Sequence, residues 1–176
     1  MKKVRLATVW LDGCSGCHMS VLDIDEAIIA VANRVDMVYG PLVDAQEFPK
    51  GVDVTLVEGA VSSQHDLEKV RTVRQRSKLV VSLGDCAVTG NVPAMRNSIP
   101  TRKLLERIYV EGAQESKLVP VDGVPALLRK AVPVHEVVKV DLHVPGCPPP
   151  PQAIAMVLGE LCEGRIPDLR SKVKFG

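Results

Sequence analysis

Short apolar runs alternate along this chain with longer segments in which apolar residues recur at helical spacing. The short runs are rich in Val, Leu and Ile and have the length of β-strands. They lie at Val4–Trp10, Val35–Tyr39, Val52–Val57, Lys78–Leu83 and Glu136–Val144. Strands that are nearly continuous apolar runs are typical of a parallel sheet whose two faces are both covered by helices. The pattern therefore predicts an α/β protein.

Helical periodicity fills most of the segments between these strands. The predicted helices are His18–Ala32, Gln64–Arg76, Thr101–Tyr109 and Gln152–Glu163. Prolines and glycines interrupt the remaining segments, which are predicted to be loops. These segments are Pro41–Gly51, Asn91–Pro100 and Glu111–Val134. Strands that alternate with helices predict a flavodoxin-like, doubly wound and mostly parallel sheet, formed by one domain of residues 1–176.

Composition narrows the classes of function. The chain has 176 residues and a formal net charge of +1, which gives no reason to expect nucleic acid as a partner. The sequence shows neither a signal peptide nor an apolar stretch long enough to insert into a membrane, so we expect a cytoplasmic protein. Thiols stay reduced in that compartment, and the number of cysteines is five, so a disulfide framework is not expected.

Four of the five cysteines lie just after predicted strands. Cys14 and Cys17 form a C-x-x-C pair after the first strand, Cys86 follows the fourth, and Cys147 follows the last. Ligands of open α/β sheets bind at the carboxyl edge of the strands, where such turns meet. The four thiols are therefore predicted to converge on one iron–sulfur cluster or one zinc ion.

The spacing of the cysteines bears on which group they bind. A thioredoxin-type redox centre needs only its C-x-x-C pair, so the two distant cysteines argue against it. Structural zinc sites usually use two close cysteine pairs, whereas Cys86 and Cys147 come singly. Gly16, Gly84 and Gly146 would let backbone amides approach cluster sulfides. The pattern favours an iron–sulfur cluster, and a zinc-stabilised α/β module remains the non-enzymatic alternative.

Four sequence segments together resemble one known family, the small subunit of nickel–iron hydrogenases. The segments are Trp10-Leu11-x-x-Cys14-x-Gly16-Cys17, Val57-Glu58-Gly59, Leu83-Gly84-Asp85-Cys86-Ala87-x-x-Gly90 and Val144-Pro145-Gly146-Cys147-Pro148-Pro149. The related subunit of respiratory complex I shares the last two segments but has two adjacent cysteines in the first. The resemblance implies that Cys14, Cys17, Cys86 and Cys147 ligate a single [4Fe–4S] cluster.

The resemblance also implies partners and further cofactors. A large subunit would hold the Ni–Fe centre, and iron–sulfur and flavin diaphorase subunits would hold FMN and reduce NAD. Many family members continue past the equivalent of Gly176 and carry an export signal, so the short form resembles the soluble, bidirectional, NAD-reducing type. A complex I-like subunit, or a deazaflavin- or ferredoxin-linked hydrogenase, is the alternative. The family usually has two glycines where this chain has Gly90-Asn91.

Four other residues are candidates for roles near the cysteines or in the core. Glu58 ends a strand at the same edge and could either relay protons or anchor backbone amides. His18 could donate to a cluster sulfur or pack at an interface, and Trp10 could pack in the core or shield the cluster. Cys162 lies within the last predicted helix and is expected to be a structural thiol. There is no G-x-G-x-x-G fingerprint or P-loop, so NAD should bind a partner chain, and FMN on this chain is disfavoured because the cysteines fill the edge.

Overall fold

The computed structural model of the protein describes residues 3–115, 117–169 and 172–175. Its strands are β1 (Val4–Trp10), β2 (Val35–Tyr39), β3 (Val52–Glu58), β4 (Val61–Ser63), β5 (Ser77–Leu83), β6 (Leu127–Val132) and β7 (Leu142–Val144). Five of them form one parallel sheet in the order β2-β1-β3-β5-β7, while β4 and β6 pair separately as antiparallel strands. The order of the main sheet is that of flavodoxin-like folds, which confirms the predicted fold class.

Helices cover both faces of the main sheet. The α-helices of the described residues are α1 (Gly16–Leu22), α2 (Ala27–Arg34), α3 (Gln64–Arg76), α4 (Asp85–Thr89), α5 (Asn91–Ala94), α6 (Thr101–Glu106) and α7 (Pro151–Cys162). One core layer packs α7 against strand residues such as Leu56 and Val81, and the other packs α3 against Val57 and Val80. The alternation of side chains along each strand therefore supplies two separate cores. None of the helices in these ranges is both long and apolar enough to cross a bilayer.

The first predicted helix is in fact two helices. His18–Ala32 was expected to be continuous, but α1 ends at Leu22 and α2 begins at Ala27. The break includes Asp25, whose backbone has a left-handed φ of 53° that no helix interior accommodates. Ile24, next to Asp25, is buried. The turn therefore directs this apolar side chain into the protein.

The last predicted strand is much shorter than expected. Only Leu142–Val144 of the run Glu136–Val144 is strand, and a 3-10 turn covers Val134–Glu136. The valines between them pack against the core layer on the α3 side without pairing in the sheet. Asp141 fixes the position at which this segment joins the sheet, because its carboxylate accepts a hydrogen bond from the backbone N–H of Val80 in β5 at 2.9 Å.

Two segments predicted to be loops contain regular structure. Asn91–Pro100 forms α5 and a 3-10 turn over Met95–Ser98, and Glu111–Val134 includes β6. Hydrogen bonds connect the two segments. Arg96 donates to the carbonyl of Leu128, and Asn97 exchanges two hydrogen bonds with the backbone of Ala131. These side-chain contacts are long-range, so proline and glycine content alone did not reveal them. In addition, the helix predicted over Thr101–Tyr109 changes to a π-helical turn at Arg107.

A four-cysteine site at the carboxyl edge of the sheet

The last residues of four parallel strands are in register across the sheet. Trp10 of β1 is opposite Glu58 of β3, Glu58 is opposite Leu83 of β5, and Leu83 is opposite Val144 of β7. The turns that carry the cysteines begin immediately after three of these residues. The register therefore brings segments more than sixty residues apart to one edge, as the sequence predicted.

The structure brings the four cysteines, Cys14, Cys17, Cys86 and Cys147, together at this edge. Burial raises the pKa of Cys17 strongly, and the charge of Glu58 and then those of the other three cysteines raise it further. Cys17 is buried and Cys86 is half-buried, whereas Cys14 and Cys147 are exposed. The site thus has a closed inner side and an open outer side. Electrostatic repulsion among four clustered thiolates would be relieved by a cationic group between them.

Gly84 lies directly against the buried thiol of Cys17. A Cβ atom placed on Gly84 would lie 2.2 Å from Sγ of Cys17, far inside van der Waals contact. Its φ of 84° and ψ of 160° also lie in a region that is essentially restricted to glycine. Both facts explain why glycine must precede Asp85 and Cys86 at the end of β5.

Asp85 ties the turns of Cys86 and Cys147 to each other. Its buried carboxylate accepts a hydrogen bond from the backbone N–H of Gly146 at 2.6 Å, and its own N–H donates to the carbonyl of Gly146 at 2.9 Å. These two turns are therefore joined by two reciprocal hydrogen bonds. The role of Asp85 was not predicted, although an acidic residue at a strand end next to a cysteine was a usable signal.

Glu58 anchors the turn of the other two cysteines. Its carboxylate is 2 % exposed and accepts hydrogen bonds from the backbone N–H groups of Cys17, at 3.4 Å, and of His18, at 3.0 Å. It also contacts Nδ1 of His18, whose Nε2 is buried and has no hydrogen-bond partner among the residues described. A carboxylate at the first N–H groups of a helix satisfies donors that the helix leaves free. The geometry is that of the backbone anchor, one of the two roles considered for Glu58.

Trp10 lies on the wall of an apolar cleft beside the first cysteine turn. Its ring is 46 % exposed, and Nε1 donates to the carbonyl of Gly13 at 3.2 Å. The cleft encloses about 280 Å³, and Met19, Leu22 and Met37 also contribute to its lining. Trp10 is therefore not a core residue. It borders the site on the side where apolar surface remains uncovered.

Cys162 is separate from the four-cysteine site. It ends α7, is half-buried, and packs against the core layer on the α7 side. Burial raises its pKa, and the charged groups that act on it are Arg34 and Glu163, with no contribution from another cysteine. This position agrees with the structural role expected for it.

Hydrogen-bond donors face the sulfurs of the site. The backbone N–H of Gly16 lies 3.4 Å from Sγ of Cys14, and Nδ2 of Asn91 lies 3.6 Å from Sγ of Cys147. Donors around thiolate sulfurs are typical of iron–sulfur sites.

No three His, Cys, Asp or Glu side chains within the described ranges are close enough to bind one metal ion. A cubane cluster, by contrast, places its four thiolate ligands on four separate irons. The all-thiol donor set and its hydrogen-bond donors fit such a cluster.

Comparison with known proteins identifies relatives of this chain. Residues 14–161 match the family model described as NADH ubiquinone oxidoreductase, 20 Kd subunit. The chain is 38% identical over 176 residues to the NAD-reducing hydrogenase HoxS subunit delta of Cupriavidus necator, covering 97% of this chain and 84% of that protein. It is 36% identical over 172 residues to an F420-non-reducing hydrogenase subunit of Methanocaldococcus jannaschii, covering 97% of this chain but 60% of the archaeal protein.

A solved structure extends the likeness to three dimensions. The structure of an NAD+-reducing [NiFe]-hydrogenase in the H2-reduced state contains a chain that is 36% identical, with a TM-score of 0.93. The alignment covers 99% of this chain and 100% of that one. The resemblance predicted from the cysteine segments is confirmed. The protein belongs to the family of the 20 kDa subunit of NADH:ubiquinone oxidoreductase and, within it, to the small subunits of nickel–iron hydrogenases.

Proposed function

We propose that this chain is the electron-transfer subunit of a hydrogenase and that Cys14, Cys17, Cys86 and Cys147 ligate one [4Fe–4S] cluster. The observation that carries the proposal is the convergence of these four thiols at one edge of the sheet. When bound, such a cluster supplies transfer of single electrons. The cluster-binding unit comprises residues 1–176 as one domain.

Four residues of the site have distinct parts in this function. Burial of Cys17 excludes water from the inner side of the site, and Gly84 leaves the space that its sulfur needs. Asp85 and Glu58 fix the backbone of the turns that carry the ligands. The chain thus provides four thiolates in a fixed arrangement, while its described residues near the site offer no second set of thiols for a Ni–Fe centre. Hydrogen would accordingly be split at a Ni–Fe centre held by a large partner subunit.

Partners would cover the open side of the site. Cys14 and Cys147 are exposed, and apolar side chains near them are exposed as well, including Trp10, Met19 and Val92. Uncovered apolar surface of this kind marks protein–protein interfaces. The partners are the large subunit and iron–sulfur and flavin diaphorase subunits with FMN, which would pass electrons to NAD in the cytoplasm. Support comes from the two NAD-reducing hydrogenases to which the chain is similar.

The second candidate function differs from the first only in the electron acceptor of the complex. The relative from Methanocaldococcus jannaschii is described as an F420-non-reducing hydrogenase subunit, and the chain spans 60% of its length. The native complex, purified anaerobically, should reduce NAD with hydrogen if the first candidate is correct. Reduction of a ferredoxin, a deazaflavin or quinone without any reduction of NAD would replace the acceptor and leave the cluster-binding role intact.

The first prediction concerns the metal content of the site. The chain purified without oxygen should contain about four irons and about four acid-labile sulfides, as expected for one cubane cluster. Iron and sulfide are measured by chemical analysis, together with zinc. One zinc ion per chain and no acid-labile sulfide would contradict the cluster and favour the zinc-stabilised module.

The second prediction separates Cys162 from the four-cysteine site. Cys86→Ala should lose the cluster or convert it to a smaller one, because one iron is left without its thiolate. Cys162→Ala should keep the full iron content and lower the free energy of unfolding by about 1–2 kcal/mol, because it leaves only a small cavity in the α7 core. Iron analysis and thermal unfolding of both variants provide the test. Loss of iron from Cys162→Ala with retention in Cys86→Ala would refute the ligand set.

A further inference from the structure

The segment Gly90–Val92 lies over two of the four sulfurs. Burial and the charge of Cys147 raise the pKa of Cys86, and a hydrogen bond from the backbone N–H of Val92 opposes that rise. One residue earlier, the side-chain amide of Asn91 donates to Sγ of Cys147 at 3.6 Å. Two successive residues therefore direct donors at two different cysteines. The donor of Val92 belongs to the backbone, whereas that of Asn91 is a side chain that can be replaced.

The backbone holds the Asn91 amide in this position. Gly90 has a φ of 88° and closes α4 with a hydrogen bond from its N–H to the carbonyl of Cys86. Asn91 follows with a φ of 28°, also left-handed, and starts α5. Asparagine is one of the few residues other than glycine that enter this region readily. These two left-handed residues in succession form the turn between α4 and α5, and from this turn the Asn91 amide reaches Sγ of Cys147.

Chemistry fixes which end of the amide faces the sulfur. A metal-bound thiolate accepts hydrogen bonds and cannot donate one, so the NH2 group of Asn91 must point toward it. Such a donor stabilises negative charge on the sulfur. Because a cluster gains one negative charge on reduction, donors to its ligands favour the reduced state and raise the reduction potential.

We propose that Asn91 is a tuning residue, whose side-chain amide raises the reduction potential of the cluster through its hydrogen bond to Cys147. The proposal rests on the ligand set of the proposed function. It goes beyond that function because it assigns the potential of the site to one replaceable side chain. The residue acts through the sulfur of Cys147 and does not itself ligate iron.

Two substitutions at this position test the proposal. Asn91→Gly removes the donor and suits the left-handed backbone, so the fold of the turn is retained. Asn91→Asp keeps the shape of the side chain but turns a carboxylate toward the thiolate. We expect the cluster to become harder to reduce in the glycine variant and harder still in the aspartate variant. In Asn91→Gly the ratio of reduced to oxidised cluster should fall at least tenfold at a fixed potential, a shift of about 59 mV for one electron.

The measurement is an EPR-monitored redox titration of the complete chain in its anaerobically purified complex, with iron and sulfide analysis of each sample. Asp25→Gly is the matched control, because it also replaces a left-handed residue by glycine but lies in the exposed turn between α1 and α2. It should leave the potential unchanged.

The outcomes separate this proposal from the proposed function. A wild-type chain without iron and sulfide would refute the cluster itself. A full complement of iron with the same potential in wild type, Asn91→Gly and Asn91→Asp would overturn the tuning role alone. Loss of iron from both Asn91 variants would also overturn it, since Asn91 would then serve assembly of the site and not its potential.

Discussion

Hydrogen-driven reduction of NAD is expected to vanish when Cys17 is replaced by serine in the native complex. Cys17 is the buried member of the four-cysteine site, so its sulfur lies on the closed, inner side of the site. A serine hydroxyl keeps its proton at neutral pH and is a poor ligand for iron. The loss should exceed the roughly 100-fold effect that removing an outer-shell partner of a metal site produces.

The NADH-to-dye activity of the same preparation is the control for the Cys17→Ser variant. That activity would require only the flavin module of the partner subunits, so it should stay at the wild-type level. Equal loss of both activities would mean that the variant disrupts assembly of the complex. Full retention of hydrogen-driven NAD reduction would contradict the assignment of Cys17 as a ligand.

Replacing Gly84 by alanine should have the largest effect of any change that leaves the four cysteines in place. The added Cβ would lie 2.2 Å from Sγ of Cys17, which cannot move away if it is bound to iron. The backbone conformation of Gly84 would add a cost of about 1–3 kcal/mol for a residue with a side chain. We expect Gly84→Ala to lose the cluster and to unfold at a lower temperature than the wild-type chain.

Gly159→Ala is the matched control for the Gly84 substitution. Gly159 lies within α7, and a Cβ placed on it would meet no atom within 4 Å. Alanine favours a helix interior over glycine by about 0.5–1 kcal/mol, so this variant should be slightly more stable and keep its iron. Iron content and thermal unfolding distinguish the two variants. An unchanged iron content in Gly84→Ala would show that the site tolerates displacement of Cys17.

Local patterns predicted the sheet well because its strands are buried on both faces. Val52–Val57 and Lys78–Leu83 differ from β3 and β5 by a single residue at one end. The pattern misled where apolar residues pack without pairing, as in the run Glu136–Val144, in which three valines join the core on the α3 side outside the strand. It also missed β4 and β6, because their pairing depends on contacts such as that of Arg96 with Leu128. Long-range hydrogen bonds of this kind leave no periodic signal in sequence.

The site was predictable to the extent that it follows from strand ends. The cysteine positions followed from their place after apolar runs, and parallel register then brought them together. The supporting contacts were not predictable, because Asp85 and Gly146 are sixty-one positions apart and their reciprocal hydrogen bonds require the finished sheet. The same holds for Asn91, whose departure from the usual glycine was noted in the sequence but whose donor role depends on a left-handed turn.

The hydrogen bonds made by Asp85 and Glu58 bear on how the protein could acquire the proposed cluster. Both carboxylates join ligand-bearing turns to other parts of the chain through hydrogen bonds that involve protein atoms alone. Fixing the backbone of one residue costs about 1–2 kcal/mol in conformational entropy. Because these hydrogen bonds form on folding, the turns are ordered before a cluster binds. Insertion of a preassembled cluster would therefore require little reordering of the polypeptide. By the same reasoning, a chain that has lost its cluster to oxidation should remain folded and could be loaded again.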